Sequence, residues 1–100
     1  MPSYKISKEA LKDIEHIWLY TFENWSVEQA DRYYRLIMDE IEYLSLIFSA
    51  GRDSGYIKEG YRSSKVKSHL IFYKKSKDGI VEVVRILHES MDVENRLTDY

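Results

Sequence analysis

The sequence predicts an α+β fold in the order β-α-α-β-β-β: an N-terminal strand, an antiparallel helical hairpin packed on a small antiparallel sheet, and a short C-terminal helix or tail. Up to Phe48, apolar residues recur at three- and four-residue steps, which marks one face of a helix. Ser7 and Ser26 each stand where a helix needs an N-cap, so this region reads as two helices. After Gly51 the chain becomes rich in β-branched and aromatic residues, and Asp78-Gly79 separates two such runs, a strong hairpin signal.

Pro2 to Ile6 alternates weakly and predicts a brief strand. Behind Ser7, Leu11, Ile14, Trp18 and Phe22 form the expected inner face of a first helix ending near Asn24. Ser26-Val27-Glu28-Gln29 fits a capping box, in which Ser26 and Gln29 satisfy each other's backbone N–H groups. Ala30, Tyr34, Ile37, Ile41, Leu44 and Phe48 follow as the second inner face, with Gly51 as the stop. Glu28–Arg32 and Asp31–Arg35 are i,i+4 pairs suited to the solvent side. A connection of only Glu23–Trp25 implies an intramolecular hairpin. Strands are expected at Tyr61–Val66, His69–Tyr73 and Ile80–Leu87, and Met91–Tyr100 is polar.

A two-residue turn at Asp78-Gly79 would set His69 opposite His88, Phe72 opposite Arg85 and Lys75 opposite Glu82. The last strand is apolar on both faces, and one helical hairpin covers only one of them. The other face needs a partner protein or the C-terminal tail. Arg85, flanked by apolar residues, needs a partner for its charge: either a helix carboxylate such as Asp13 or a group on a binding protein. Trp18, Trp25, Tyr33 and Tyr34 are assigned to packing.

With 100 residues the chain fits a single domain, 1–100. It has no cysteine, which excludes disulfides, thiolate metal sites and a thiol nucleophile. No apolar run is long enough to cross a membrane and no signal peptide is recognisable, so a cytoplasmic location without membrane contact is expected. The net charge of −2 conceals an asymmetry. Residues 1–50 hold five Lys/Arg against nine Asp/Glu, and residues 51–100 hold ten against eight. From Lys58 to Lys77 there are seven basic residues and one acid, Glu59. Lys74, Lys75 and Lys77 suit a strand edge guarded against aggregation, whereas Arg62, Lys65 and Lys67 remain open to a binding role.

Several groups of residues resemble the ParE toxins of the RelE/ParE superfamily, the toxic halves of bacterial type II toxin–antitoxin modules. They are Tyr4, Ile6, Ser7, Ala10, Asp13 and Ile17; Gln29, Ala30 and Tyr33; Gly60-Tyr61-Arg62; His69, Ile71, Phe72, Tyr73 and Lys74; and Val84-Arg85-Ile86-Leu87-His88 with Met91-Asp92. The resemblance spans nearly the whole chain and implies the same β-α-α-β-β-β architecture. It implies a ParD-like antitoxin as partner and DNA gyrase as target; separately, a basic patch of this size could touch DNA phosphates through the gyrase complex, though no motif stands behind that contact. For the target, Arg62, Lys65, Lys67, His69 and His88 are the candidate contacts; for the antitoxin, Tyr20, Tyr43, Leu46, Val84 and Ile86.

The RelE branch of the superfamily instead cuts messenger RNA. A metal-independent ribonuclease needs a base, an acid and cations around the phosphate. Here those roles would fall to His88, Arg62, Lys67 and Arg85. Against this, acidic Glu89 and Asp92 follow His88 in place of a basic tail, and Tyr100 is the last residue. No catalytic residue, cofactor or metal is therefore assigned; two histidines with Glu89 or Asp92 make a poor metal site.

Overall fold

The structure, a computed structural model, describes residues 3–98. Pro2 and Tyr100 lie outside the described residues. The chain runs β1 (Tyr4–Ile6), α1 (Lys8–Asn24), α2 (Val27–Leu46), a 3₁₀ turn (Phe48–Ala50), β2 (Arg52–Asp53), β3 (Arg62–Val66), β4 (His69–Lys75), β5 (Val81–His88) and α3 (Val93–Thr98). The strands form one sheet in the order β1-β5-β4-β3-β2. The sheet is mixed, since β1 pairs in parallel with β5 while the remaining pairs are antiparallel. The brief N-terminal strand was expected but not its parallel pairing, and β2 was not expected at all: a two-residue strand carries too little sequence pattern to be seen.

Both serines cap as expected. Ser7 Oγ accepts from the Ala10 N–H at 3.0 Å, and Ser26 Oγ from the Gln29 N–H at 3.1 Å. The Gln29 side chain instead accepts from Arg32, so only half of the capping box forms. Ser7 has a second task. Its backbone N–H donates to Val83 O at 3.0 Å and its hydroxyl to Val84 O at 2.9 Å. The residue that starts α1 thus also satisfies the edge of β5 just past the end of β1.

Helix α1 buries Ala10, Ile14 and Thr21, with Ile17 packed beside them. The expected stripe is rotated: Leu11 and Phe22 are exposed, and Trp18 stacks on Phe22 with ring centroids 5.4 Å apart. Helix α2 buries Ala30, Ile37, Ile41 and Leu44 as expected, but Tyr34 is exposed and Tyr33 turns inward. These residues close one core against Ile71, Tyr73, Val81, Val83 and Ile86 of the sheet.

A second core lies on the other sheet face. Tyr61, Phe72, Val84 and Leu87 pack there with Leu97 of α3, and Ile57, Leu70 and Val93 flank them. The C-terminal segment therefore covers the face that one helical hairpin leaves bare. Val84 and Ile86, expected to await an antitoxin, are corrected by this packing: they are 0% and 2% exposed and belong to the two cores.

Candidate functional site

The basic segment resolves into separate structural tasks. Arg62, at the start of β3, donates through Nε to Gly51 O and through Nη2 to Ser49 O, each at 3.1 Å. Its guanidinium also lies over the Phe48 ring. The 3₁₀ turn that follows α2 is held this way, and Tyr73 completes the anchor. The Tyr73 hydroxyl donates to Phe48 O at 2.7 Å and accepts from the Gly51 N–H at 2.9 Å. Lys58 and Lys74 approach the Tyr61 ring at 5.6 and 5.7 Å, and Lys75 approaches Phe48 at 4.9 Å. Four of the seven basic residues between Lys58 and Lys77 thus lie over two rings, Phe48 and Tyr61, a favourable placement for a cation.

Arg85 meets Asp13 of α1 in a two-bond fork, with Nε–Oδ2 at 2.8 Å and Nη2–Oδ1 at 3.0 Å. Of its two expected partners, a helix carboxylate or a group on a binding protein, the helix carboxylate is the one present. Two of the four residues considered for phosphate chemistry, Arg62 and Arg85, are thereby committed to holding the fold.

The remaining candidates converge at one end of the sheet. β3 and β4 are joined by Lys67-Ser68 between the paired residues Val66 and His69. Lys67 has φ +56°, the left-handed region that an L side chain occupies at a cost. His69 faces His88 as expected, their rings edge to face with centroids 5.2 Å apart. Tyr33 of α2 reaches over this pair: its hydroxyl lies 2.6 Å from His69 Nδ1 and donates to Val66 O at 3.0 Å. With its single proton on Val66, that hydroxyl accepts from an Nδ1–H of His69. His88 Nδ1 accepts from the Ser90 N–H at 3.1 Å, leaving its Nε2 as the protonated nitrogen. Lys65 Nζ pairs with Glu89 Oε2 at 2.8 Å, and the Glu89 N–H donates to Ser68 O at 2.8 Å.

This geometry perturbs three groups. Burial, followed by the neighbouring His88, lowers the pKa of His69. The Lys65 ammonium holds the Glu89 carboxyl below its usual range. Burial raises the Tyr33 phenol above its usual value. Tyr33 was assigned to packing, and nothing in a Tyr33-Tyr34 pair tells which ring points inward. Only the period set by Ala30 and Ile37, carried to the neighbouring position, could have found it. Among the described residues no group of three metal-ligating side chains occurs.

A second surface lies on the outer side of the helical hairpin. Ile14, Glu15, Trp18, Leu19, Asp31 and Tyr34 line a groove of about 440 Å³, and Trp18 Nε1 donates to Asp31 at 2.9 Å across it. Tyr20, Tyr43 and Leu46 are exposed on these helices, and Trp25 at the hairpin tip is 67% exposed. The sequence reading missed this groove because it turned its apolar stripe inward.

A five-stranded mixed sheet with a helical hairpin packed on one face and a short C-terminal helix on the other defines a small α+β domain. The sequence model described as "ParE toxin of type II toxin-antitoxin system, parDE" matches residues 4–93, and the chain belongs to this family. It is 36% identical over 94 residues to "Toxin ParE1" of Mycobacterium tuberculosis (strain ATCC 25618 / H37Rv), covering 94% of this chain and 96% of that relative. It is 35% identical over 98 residues to "Toxin ParE1" of Caulobacter vibrioides, covering 97% and 99%. To "Toxin ParE" of Escherichia coli it is 29% identical over 99 residues, covering 99% and 96%. The fold is shared with a solved structure titled "Chromosomal ParDE TA system from P. aeruginosa", with TM-score 0.75 and 18% identity over 88% of this chain and 96% of that one. The chain is thus a ParE-type toxin of a parDE type II toxin–antitoxin system.

Proposed function

We propose that this toxin acts in the cytoplasm as a non-enzymatic inhibitor of DNA gyrase and is neutralised by a ParD-like antitoxin. The observation that carries this choice over messenger RNA cleavage is the commitment of Arg62 and Arg85. One guanidinium is held by backbone carbonyls and the other by Asp13, so neither is free to collect phosphate charge in a transition state. The acidic residues Glu89 and Asp92 just after His88 add to the argument. The antitoxin covers the outer groove of the helical hairpin through Trp18, Leu19 and Tyr34, and the exposed Tyr20, Tyr43 and Leu46 on the same two helices offer further apolar contact.

Expression without the antitoxin tests the reading. Filamentous cells with a DNA-damage response and intact transcripts support it, together with loss of supercoiling by purified gyrase. Messages cut within translated codons overturn it. His88→Ala sharpens the result, because a nuclease using this imidazole loses about 10²–10⁴ in rate, whereas the binding toxin keeps transcripts intact with or without it.

A further inference from the structure

We propose that Asp78-Gly79, in the turn joining β4 to β5, is a site of spontaneous backbone rearrangement to isoaspartate, and that Lys5 of β1 is the residue that holds it closed. The inference stands apart from the gyrase reading and needs no partner.

The sequence singles out the position. Among the aspartates and asparagines of the chain, Asp78 alone is followed by glycine, the residue with no side chain to screen its backbone nitrogen. Gly79 sits in the left-handed region at φ +82°, and a Cβ placed there would touch nothing within 4 Å. The Asp78 side chain is 47% exposed. Water and a modifying enzyme therefore reach both residues.

The chemistry needs only this dipeptide and water. The Gly79 nitrogen attacks Asp78 Cγ, and the amide proton and the carboxyl hydroxyl leave together as one water, closing a succinimide ring. Hydrolysis returns that water. Opening at Cγ restores aspartate, whereas opening at the Asp78 carbonyl carbon leaves the chain running through Cβ and Cγ as isoaspartate.

Four contacts oppose the first step. Lys5 Nζ lies 2.7 Å from Asp78 Oδ2. The Ser76 hydroxyl and the Ile80 N–H, the latter at 3.1 Å, donate to Oδ1. The Gly79 N–H, whose nitrogen is the nucleophile, is itself engaged, donating to Ser76 O at 2.9 Å. Lys5 first, then Ser76 and Ile80, hold the carboxyl well below its usual range, and an ionised carboxylate has no hydroxyl to lose. An exposed ion pair adds little stability, so the larger effect of Lys5 is on the reactivity of Asp78.

Of these groups Lys5 alone comes from outside the turn. Its register partner on β5 is Glu82, which faces Lys74 of β4, yet its ammonium goes to Asp78. The site is therefore closed only while β1 is docked on β5. Isoaspartate lengthens the backbone of the turn by one methylene and takes the carboxylate away from Lys5 and from the Ile80 N–H. Rearrangement thus also unties the first strand.

The test ages the purified full chain in neutral buffer. Isoaspartate is counted with protein isoaspartyl methyltransferase and S-adenosylmethionine, and placed by the shifted retention of the tryptic peptide 78–85 at unchanged mass. Lys5→Met keeps the aliphatic stem and removes the charge. It should age at least about threefold faster than the native chain, since each pKa unit regained raises the protonated fraction of Asp78 about tenfold. Ser76→Ala, which leaves β1 and Lys5 in place, also ages faster. Lys5→Arg keeps the slow rate, and Asp78→Glu, one methylene too long for a succinimide, gives the background. In strong denaturant the native chain and Lys5→Met age equally fast. The site is overturned by equal rates for the folded native chain and Lys5→Met, by a native rate as fast in buffer as in denaturant, or by isoaspartate with none at residue 78. An acceleration in Lys5→Met no greater than the rise in its Gly79 amide exchange is local opening and overturns the role of the charge.

Discussion

Asp13 on α1 accepts both prongs of the Arg85 guanidinium and, through Oδ2, also the Ile86 backbone N–H at 2.9 Å. One carboxylate therefore satisfies the charge on β5 and an edge amide that β1, which pairs only with Val81, Glu82 and Val83, is too short to reach. Together with Ser7 it makes the start of α1 a substitute for the missing end of a strand.

Replacing Asp13 consequently removes two kinds of partner at once. Asp13→Ala removes the carboxylate that a largely buried guanidinium pairs with and the acceptor of an edge N–H, and is expected to cost about 3 kcal/mol. Asp13→Asn keeps an acceptor for one of them and costs less. Urea unfolding midpoints at constant m-value measure both; a loss below about 0.5 kcal/mol for Asp13→Ala would show that β5 does not depend on this contact.

The part-buried His69 makes stability fall in acid. The ordinary histidine pKa is 6.5, and that of His69 is lowered in the fold by burial and by His88. In the window between its depressed folded value and 6.5, the unfolded chain binds more protons than the native one, so stability rises with pH through that window. It is fully present above about pH 6.5 and is lost as the pH falls toward the folded value. Thermal melts from about pH 7.5 down to pH 5 should show this decline, and His69→Gln should flatten it relative to the native chain.

Gly51 is required for space rather than for φ. Its backbone is extended with φ −76°, but a Cβ there would lie 2.0 Å from the Tyr73 hydroxyl and 2.8 Å from its ring. Gly51→Ala must therefore push Tyr73 off Phe48 O and the Gly51 N–H, at an expected cost of about 2–3 kcal/mol. Tyr73→Phe loses the hydroxyl bonds alone, about 1–2 kcal/mol. The double variant should cost less than the sum of the two, because both disrupt the same anchor. Calorimetry on the four proteins checks the cycle.

The outer groove of the helical hairpin gives a prediction about the partner. Leu19→Glu and Tyr34→Glu place charge in a surface assigned to the antitoxin while leaving both cores untouched. Each should weaken antitoxin binding by about tenfold or more with no change in far-UV CD or in gyrase inhibition. Unchanged affinity in both would move the antitoxin to another face.

The hairpin between β4 and β5 shows how sequence reading can reach the right contacts by an incomplete route. Asp78-Gly79 suggests a two-residue turn, but Ser76 N–H donates to Ile80 O at 2.8 Å, so the loop holds the three residues Lys77, Asp78 and Gly79. The near part of the hairpin is accordingly offset: Lys74, not Lys75, faces Glu82. An irregularity between Phe72 and Tyr73 then returns the register, so that Phe72 faces Arg85 and His69 faces His88 as expected. The extra residue sits at Val84, and no local pattern announces it, since a bulge is set by how the strand meets its neighbours. The helix caps were legible because they depend on nearest neighbours. The rotation of α1 was not, because Leu11, Trp18 and Phe22 form as good a stripe as Ala10, Ile14 and Ile17, and only the sheet decides between them. The same limit hid Tyr33, whose place in the site depends on a hairpin tip more than thirty residues away.

The position of β5 has a consequence for how the toxin comes into being. It lies between β1 and β4, so the earliest strand acquires its pairing partner only after nearly everything else has been translated. Ser7 and Asp13 likewise wait for Val83, Val84, Arg85 and Ile86. During synthesis the helical hairpin can form while its sheet is still incomplete, presenting its groove to a binding protein before the β3–β4 turn is pinned by the segment after β5. A nascent chain thus exposes the groove proposed for its antitoxin at a stage when the β3–β4 turn is not yet held in place.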